Sequence, residues 1–142
     1  MTAKQVKVST EYEPTSKEEF MNDKMLAYFK QKLLDWRREL VRESSETLIS
    51  MQDDGGMQEP DSVDRASAET DRFHLLRTRD RERKLLNKID QALKRIEDGS
   101  YGYCEVTGDP IGVERLKARP IATMSLEAQE MHERKEKVYR DE

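Results

Sequence analysis

Two carboxylates, Asp61 and Asp64, follow Pro60 in the run Asp53-Asp54-Gly55-Gly56-Met57-Gln58-Glu59-Pro60-Asp61-Ser62-Val63-Asp64-Arg65-Ala66. Neighbouring acids can move protons in catalysis, or they can satisfy the free amides at a helix start. The surrounding residues supply nothing that would form a pocket, so acid-base chemistry has no housing here. The helix-start reading needs only the local chain. Asp61 after Pro60 is a good N-cap, and Asp64 at the third helical position complements the helix dipole. A second set of chemically able residues is basic: Arg77, Arg79, Arg81, Arg83, Lys84, Lys88, Lys94 and Arg95. They alternate with Asp80, Glu82, Asp90 and Glu97, which describes a solvated helix face with internal charge pairs. The third is Cys104, the one cysteine of the chain, which excludes an intrachain disulfide and agrees with a reducing compartment.

The elements that position these residues follow from periodicity. Leu26, Phe29, Leu33, Trp36 and Leu40 recur at steps of three and four, as do Leu86, Ile89, Leu93 and Ile96. That is the seam of a coiled coil. Continued toward the acidic run, the registers give Ser44, Thr47 and Met51 on one arm, and Glu82, Arg79, Leu75, Arg72 and Ala68 on the other. The seam is therefore apolar at one end and polar at the other. Arms of roughly 30 residues would span on the order of 45 Å. The expected fold is mainly α: a long antiparallel two-helix coiled-coil finger over 24–98 with its tip near 53–66, a polar N-terminal tail and helical lead-in over 1–23, and a small knuckle with a C-terminal helix over 99–142. Residues up to about 18 are polar, contain Pro14, and are expected to order only where something docks them.

Composition bounds the function. The 142 residues are 39% charged and 35% hydrophobic, too little apolar material for a compact globule of that length. A net charge of −4 with interspersed signs lacks the basic stripe that binding duplex DNA unaided would require. No apolar run approaches the roughly 18 residues of a membrane span and no signal-peptide stretch follows Met1, so a cytoplasmic location is expected.

After Asp98-Gly99 the text changes character. Tyr101-Gly102-Tyr103-Cys104-Glu105-Val106-Thr107-Gly108-Asp109-Pro110-Ile111-Gly112-Val113 reads as two short strands around a glycine and proline turn. A last helix is expected from Ser125 as N-cap to about Tyr139. An apolar cluster of Tyr101, Tyr103, Val106, Ile111, Val113, Leu116, Ile121 and Met124, with Cys104 as a small buried hydrophobe, would hold the knuckle.

Four blocks carry a resemblance. Asp61-Ser62-Val63-Asp64-Arg65-Ala66, Arg77-Thr78-Arg79-Asp80-Arg81-Glu82-Arg83-Lys84, Tyr101-Gly102-Tyr103-Cys104-Glu105 and Arg115-Leu116-Lys117-Ala118-Arg119-Pro120 resemble the DksA family of RNA polymerase-binding transcription factors, in order and spacing, from about residue 24 to the last helix. The resemblance implies a non-enzymatic regulator that inserts its finger through the polymerase secondary channel. With ppGpp it destabilises promoter complexes in the stringent response, repressing ribosomal RNA promoters and activating some biosynthetic ones. It also implies that Asp64 is the working tip acid, with Asp61 beside it and Ala66 just behind, and that Lys88 and Arg119 help hold ppGpp against the polymerase. Guanidinium and ammonium groups suit a pyrophosphate.

Two departures qualify the carry-over. The family pattern has a lysine where this chain has Gln129, and ppGpp responsiveness is nonetheless expected. Where the family carries Cys-x-x-Cys twice, this chain reads Cys104, Thr107, Ser125 and Ala128. Hydroxyl and methyl side chains do not replace thiolates in a tetrahedral zinc site, and His74 and His132 lie in helical segments away from it, so no zinc is expected. The resemblance is thus to the zinc-independent DksA variants. Two other classes compete. A Gre-type transcript-cleavage factor also presents an acid-tipped coiled coil, although its finger usually precedes a larger globular domain. A generic coiled-coil scaffold leaves the Pro60-to-Ala66 bend and the Arg115-to-Pro120 run unexplained. An intramolecular hairpin satisfies its own seam, so a monomer without sequence-specific DNA binding is expected.

Overall fold

The computed structural model describes residues 11–54 and 62–140. Four helices follow one another: α1 over Asp23–Asp54, α2 over Ser62–Asp98, α3 over Val113–Ala118 and α4 over Leu126–Arg140. The chain is mainly α, and among the described residues its β pairing is a single bridge between Tyr103 and Pro110. The two strands expected there do not form. Gly102, Gly108 and Gly112 all adopt positive φ, which turns the backbone where extended pairing would have to continue.

The ends of the long helices are chemically marked. Asn22 caps α1, its Oδ1 accepting from Met25 N at 2.8 Å. At the far end of α2, Gly99 takes φ 85, and the amides of Ser100 and Tyr101 both donate to the Arg95 carbonyl, at 3.0 and 3.1 Å. The Arg95 guanidinium then turns back and donates to the carbonyls of Ser100 and Tyr103, at 3.1 and 2.6 Å.

Two compact units divide the chain. One, Leu34–Asp90, contains the paired arms. Arg37 Nε donates to Asp90 Oδ1 at 2.8 Å and Thr47 Oγ1 to Glu82 Oε1 at 3.3 Å. Moving up α1 while moving down α2, these links show that the arms are antiparallel. Leu40 and Ile89 are buried in this unit, and Leu75, Glu82 and Ile89 step by seven residues along α2, so Glu82 occupies a seam position. It is buried with 8% exposure, and its Oε2 has no hydrogen-bond partner. Closer to the bend the seam does not close: Ala68, Arg72 and Arg79 are exposed.

The other unit joins residues up to Leu33 with Gln91 onward. Met25, Phe29 and Leu33 from α1, and Ala92 and Ile96 from α2, are buried with Tyr101, Cys104, Ile111, Val113, Leu116, Ile121, Ala122 and Ala128. Phe29 stacks on Tyr101 with ring centroids 5.7 Å apart, and the Tyr101 hydroxyl donates to the Pro120 carbonyl at 2.7 Å. The expected apolar cluster is thus only partly realised. Val106 is 67% exposed, Tyr103 and Met124 are half-buried, and the short helix α3, absent from the sequence reading, supplies Val113 and Leu116. The lead-in also differs from expectation. Residues 11–22 run as turns rather than helix, and they are docked by the chain itself, with Pro14 fully buried.

Candidate functional site

Of the expected tip residues, Asp61 lies outside the described residues. Asp64 is in the first turn of α2, and Ala66 is exposed two positions later. The first turn of a helix suits a carboxylate by its dipole, whatever further role the residue has.

The basic residues of α2 largely behave as a solvated face. Asp80 takes Lys84 at 3.1 Å and Arg83 at 3.6 Å, and Arg77 lies over the Phe73 ring at 5.8 Å. Lys88 is exposed on the same helix. Arg119 is exposed at the C-cap of α3, with its backbone N–H bonded to the Arg115 carbonyl at 2.7 Å. The stretch before Arg119 is anchored: Lys32 Nζ donates to the Lys117 carbonyl at 3.0 Å, and Lys117 Nζ pairs with Glu13 at 3.8 Å. Arg119 is thus an exposed guanidinium on a fixed backbone, the arrangement a phosphate contact needs. Gln129, in place of the family's lysine, donates to Glu133 Oε1 at 3.1 Å and so ties itself to its own helix.

The four positions that would carry a C4-type site have become other things. Ser125 caps α4, its Oγ accepting from Ala128 N at 3.2 Å, and Ala128 is a buried methyl. Thr107 Oγ1 accepts from Asp109 N at 3.3 Å, closing the turn. Cys104 is buried with 3% exposure. Burial pushes its thiol up. Hydrogen bonds from the Thr107 hydroxyl and from the amides of Ser125, Thr107 and Val106 outweigh that effect and lower it to about 6. Cys104 is the small buried side chain expected from the sequence, and the donors around its sulfur also lower its thiol. One thiolate, two hydroxyls engaged in backbone bonds and a methyl do not fit tetrahedral zinc. Among the described residues no three His, Cys, Asp or Glu side chains converge as metal ligands.

A unit of two paired antiparallel helices, and a second unit built on glycine turns with two shorter helices, define the class: a coiled-coil factor with a finger-type knuckle. The family described as "DnaK suppressor protein DksA, N-terminal domain" matches residues 25–96, and the "Prokaryotic dksA/traR C4-type zinc finger" matches residues 99–134. The chain belongs to the DksA family. It is similar to the RNA polymerase-binding transcription factor DksA of Caulobacter vibrioides, 62% identical over 94% of this chain and 93% of that protein. With the protein of the same name from Escherichia coli K12 it shares 44% over 89% of this chain and 83% of that one. Among solved structures, transcription factor DksA2 from Pseudomonas aeruginosa superposes with a TM-score of 0.79 at 38% identity, covering 86% of this chain and 95% of that chain.

Proposed function

We propose that this protein is an RNA polymerase-binding transcription regulator that enters the secondary channel and, with ppGpp, destabilises promoter complexes. It would repress ribosomal RNA promoters and activate some biosynthetic ones in the stringent response. The observation that carries the reading is 62% identity over 94% of the chain to a factor named for polymerase binding, with the arm unit and the knuckle both present. Two antiparallel helices with a polar seam toward their bend make a slender rod, suited to a narrow channel and stable in water when withdrawn.

In this reading Asp64 acts at the tip with Asp61 and Ala66, and Lys88 and Arg119 contact ppGpp at the polymerase surface. The factor is a cytoplasmic, non-enzymatic monomer, and it reads no DNA sequence itself. Its knuckle is zinc-independent, because the sulfur, hydroxyls and methyl at the four positions are spent on backbone bonds and packing.

Multiple-round transcription from a ribosomal RNA promoter, with and without ppGpp and with a zinc chelator throughout, tests all of this. The intact protein represses, ppGpp deepens the repression, and Asp64→Asn folds normally but does not repress. Absence of repression by the folded wild-type protein rejects the reading. Stimulated RNA cleavage in a stalled elongation complex would assign it instead to the Gre-type factors.

A further inference from the structure

A finger of the C4 type draws its folding free energy from its metal, which cross-links two turns that cannot build a core of their own. Here the turns persist without the donors. Cys104 N donates to the Asp109 carbonyl, Gly108 N to the Cys104 carbonyl and Ile111 N to the Gly102 carbonyl, each at 2.8 Å. The two turns are bonded to each other through Glu105 N and the Thr123 carbonyl at 2.8 Å, and one further segment lies against the first of them.

That segment is the lead-in before α1. Met21 packs on Gly102 so closely that a Cβ added there would stand 2.8 Å from Met21 Sδ. Gly102 is the residue whose carbonyl closes the knuckle through Ile111. Phe20 sets its ring edge-on to Tyr103, next to Cys104, with centroids 5.5 Å apart. Further back, Pro14 is fully buried and Glu13 reaches Lys117 in α3 at 3.8 Å. The segment is internally braced as well. Glu18 accepts from the Thr15 amide at 2.9 Å and from the Tyr12 hydroxyl at 2.8 Å. Those two bonds hold its carboxyl below the usual range. Met21 itself sits at φ 56, a left-handed conformation that is strained for a non-glycine residue. Such a conformation persists only where the surroundings over-determine it.

We propose that residues 12–21 form a strap that takes the place of the metal. In this protein the knuckle, and with it the backbone that presents Arg119, is held folded by the N-terminal segment. The proposal rests on the zinc-independent reading of the knuckle. Its consequence is specific: knuckle order follows Phe20, Met21 and Pro14, and does not respond to zinc.

Amide hydrogen exchange on the full chain tests it. The readouts are the amides of Cys104, Gly108 and Ile111, in the wild type, in the double variant Phe20→Ala with Met21→Gly, and in Pro14→Ala, each with and without a zinc chelator. Met21→Gly relieves the left-handed backbone, so a loss of protection there reports the missing side chain. Exchange at the three amides is expected to be roughly tenfold faster or more in both variants, while amides within Leu34–Asp90 keep wild-type rates. Wild-type protection at the three amides in both variants overturns the strap. Loss of wild-type protection on adding chelator alone overturns instead the metal-free reading beneath it.

Discussion

Replacing Glu82 by leucine should make this protein more stable. Glu82 stands on the seam register of α2, 8% exposed, with Oε2 buried and unpartnered and Oε1 accepting only a 3.3 Å bond from Thr47. A buried acceptor without a partner costs about 1–3 kcal/mol, and an apolar side chain in a seam position gains about 1.5–3 kcal/mol by burial. Against these stands the loss of the Thr47 bond, about 1.5–3 kcal/mol for a charged acceptor. Thr47 does not become a stranded donor, because its hydroxyl also reaches the Glu43 carbonyl at 3.0 Å. The balance is a gain of about 1–3 kcal/mol, or roughly 3–9 °C in Tm for a chain of this size. Urea unfolding followed by far-ultraviolet circular dichroism reads it as a higher midpoint with an unchanged slope. Glu82→Gln serves as the control that keeps shape and polarity, and it should leave the midpoint close to that of the wild type. A Glu82→Leu protein less stable than wild type by about 1 kcal/mol or more would refute the reasoning. It would mean that the carboxylate is fully satisfied in its seam.

Other predictions follow from the knuckle. Tyr101→Phe removes a buried donor and strands the Pro120 carbonyl, which should cost about 1–3 kcal/mol in the same unfolding assay. Gly102→Ala forces a methyl toward Met21 at φ 91 and should cost about 2–4 kcal/mol, combining left-handed strain with overpacking. The Cys104 thiol, ordinarily near 9.0, is lowered to about 6 in the folded state. A group with a depressed folded pKa adds stability that is complete above its unfolded value and lost as pH falls through the folded one. Stability measured by urea titration should therefore rise between about pH 6 and 9.0, and Cys104→Ala should flatten that slope. Ser125→Ala removes the cap of α4 and should cost about 0.5–2 kcal/mol, measurable as fraying of that helix by amide exchange.

The long arms were legible because seven-residue spacing survives translation into structure with little interference. Leu40 and Ile89 are buried where the register puts them, and even Glu82 falls on its predicted seam position. What the register could not convey is that an acid there would be buried beside Thr47 while Arg79, the neighbouring seam position on α2, is exposed. The knuckle was harder. Tyr101-Gly102-Tyr103 alternates like a strand, but the decisive fact is the positive φ of its glycines, and that depends on what lies against them. Helix α3 is too short for periodicity to announce it. The docking of residues 11–22 was invisible for a related reason: Met21 and Gly102 are complementary only in space. Ser125 was recognisable as a cap from its residue type, and the twofold spacing of the family pattern already grouped it with Cys104 and Thr107, but that spacing did not convey that donors from both turns would lower the Cys104 thiol.

The unit built from both ends of the chain has a kinetic consequence. Lys32 and Lys117, bonded side chain to backbone, are 85 residues apart, and Phe29 of α1 stacks on Tyr101 beyond the second arm. Contacts at such separation must overcome a large loop-closure entropy, whereas Leu34–Asp90 can pair as soon as both arms exist. During synthesis, which proceeds from the N-terminus, the arms can therefore zip first while the apolar start of α1 waits uncovered. Only when Ala128 has emerged is the last of the described buried residues of that unit available. A ribosome that stalls before this point holds a finished pair of arms attached to an exposed hydrophobic face, the kind of surface that chaperones and proteases recognise.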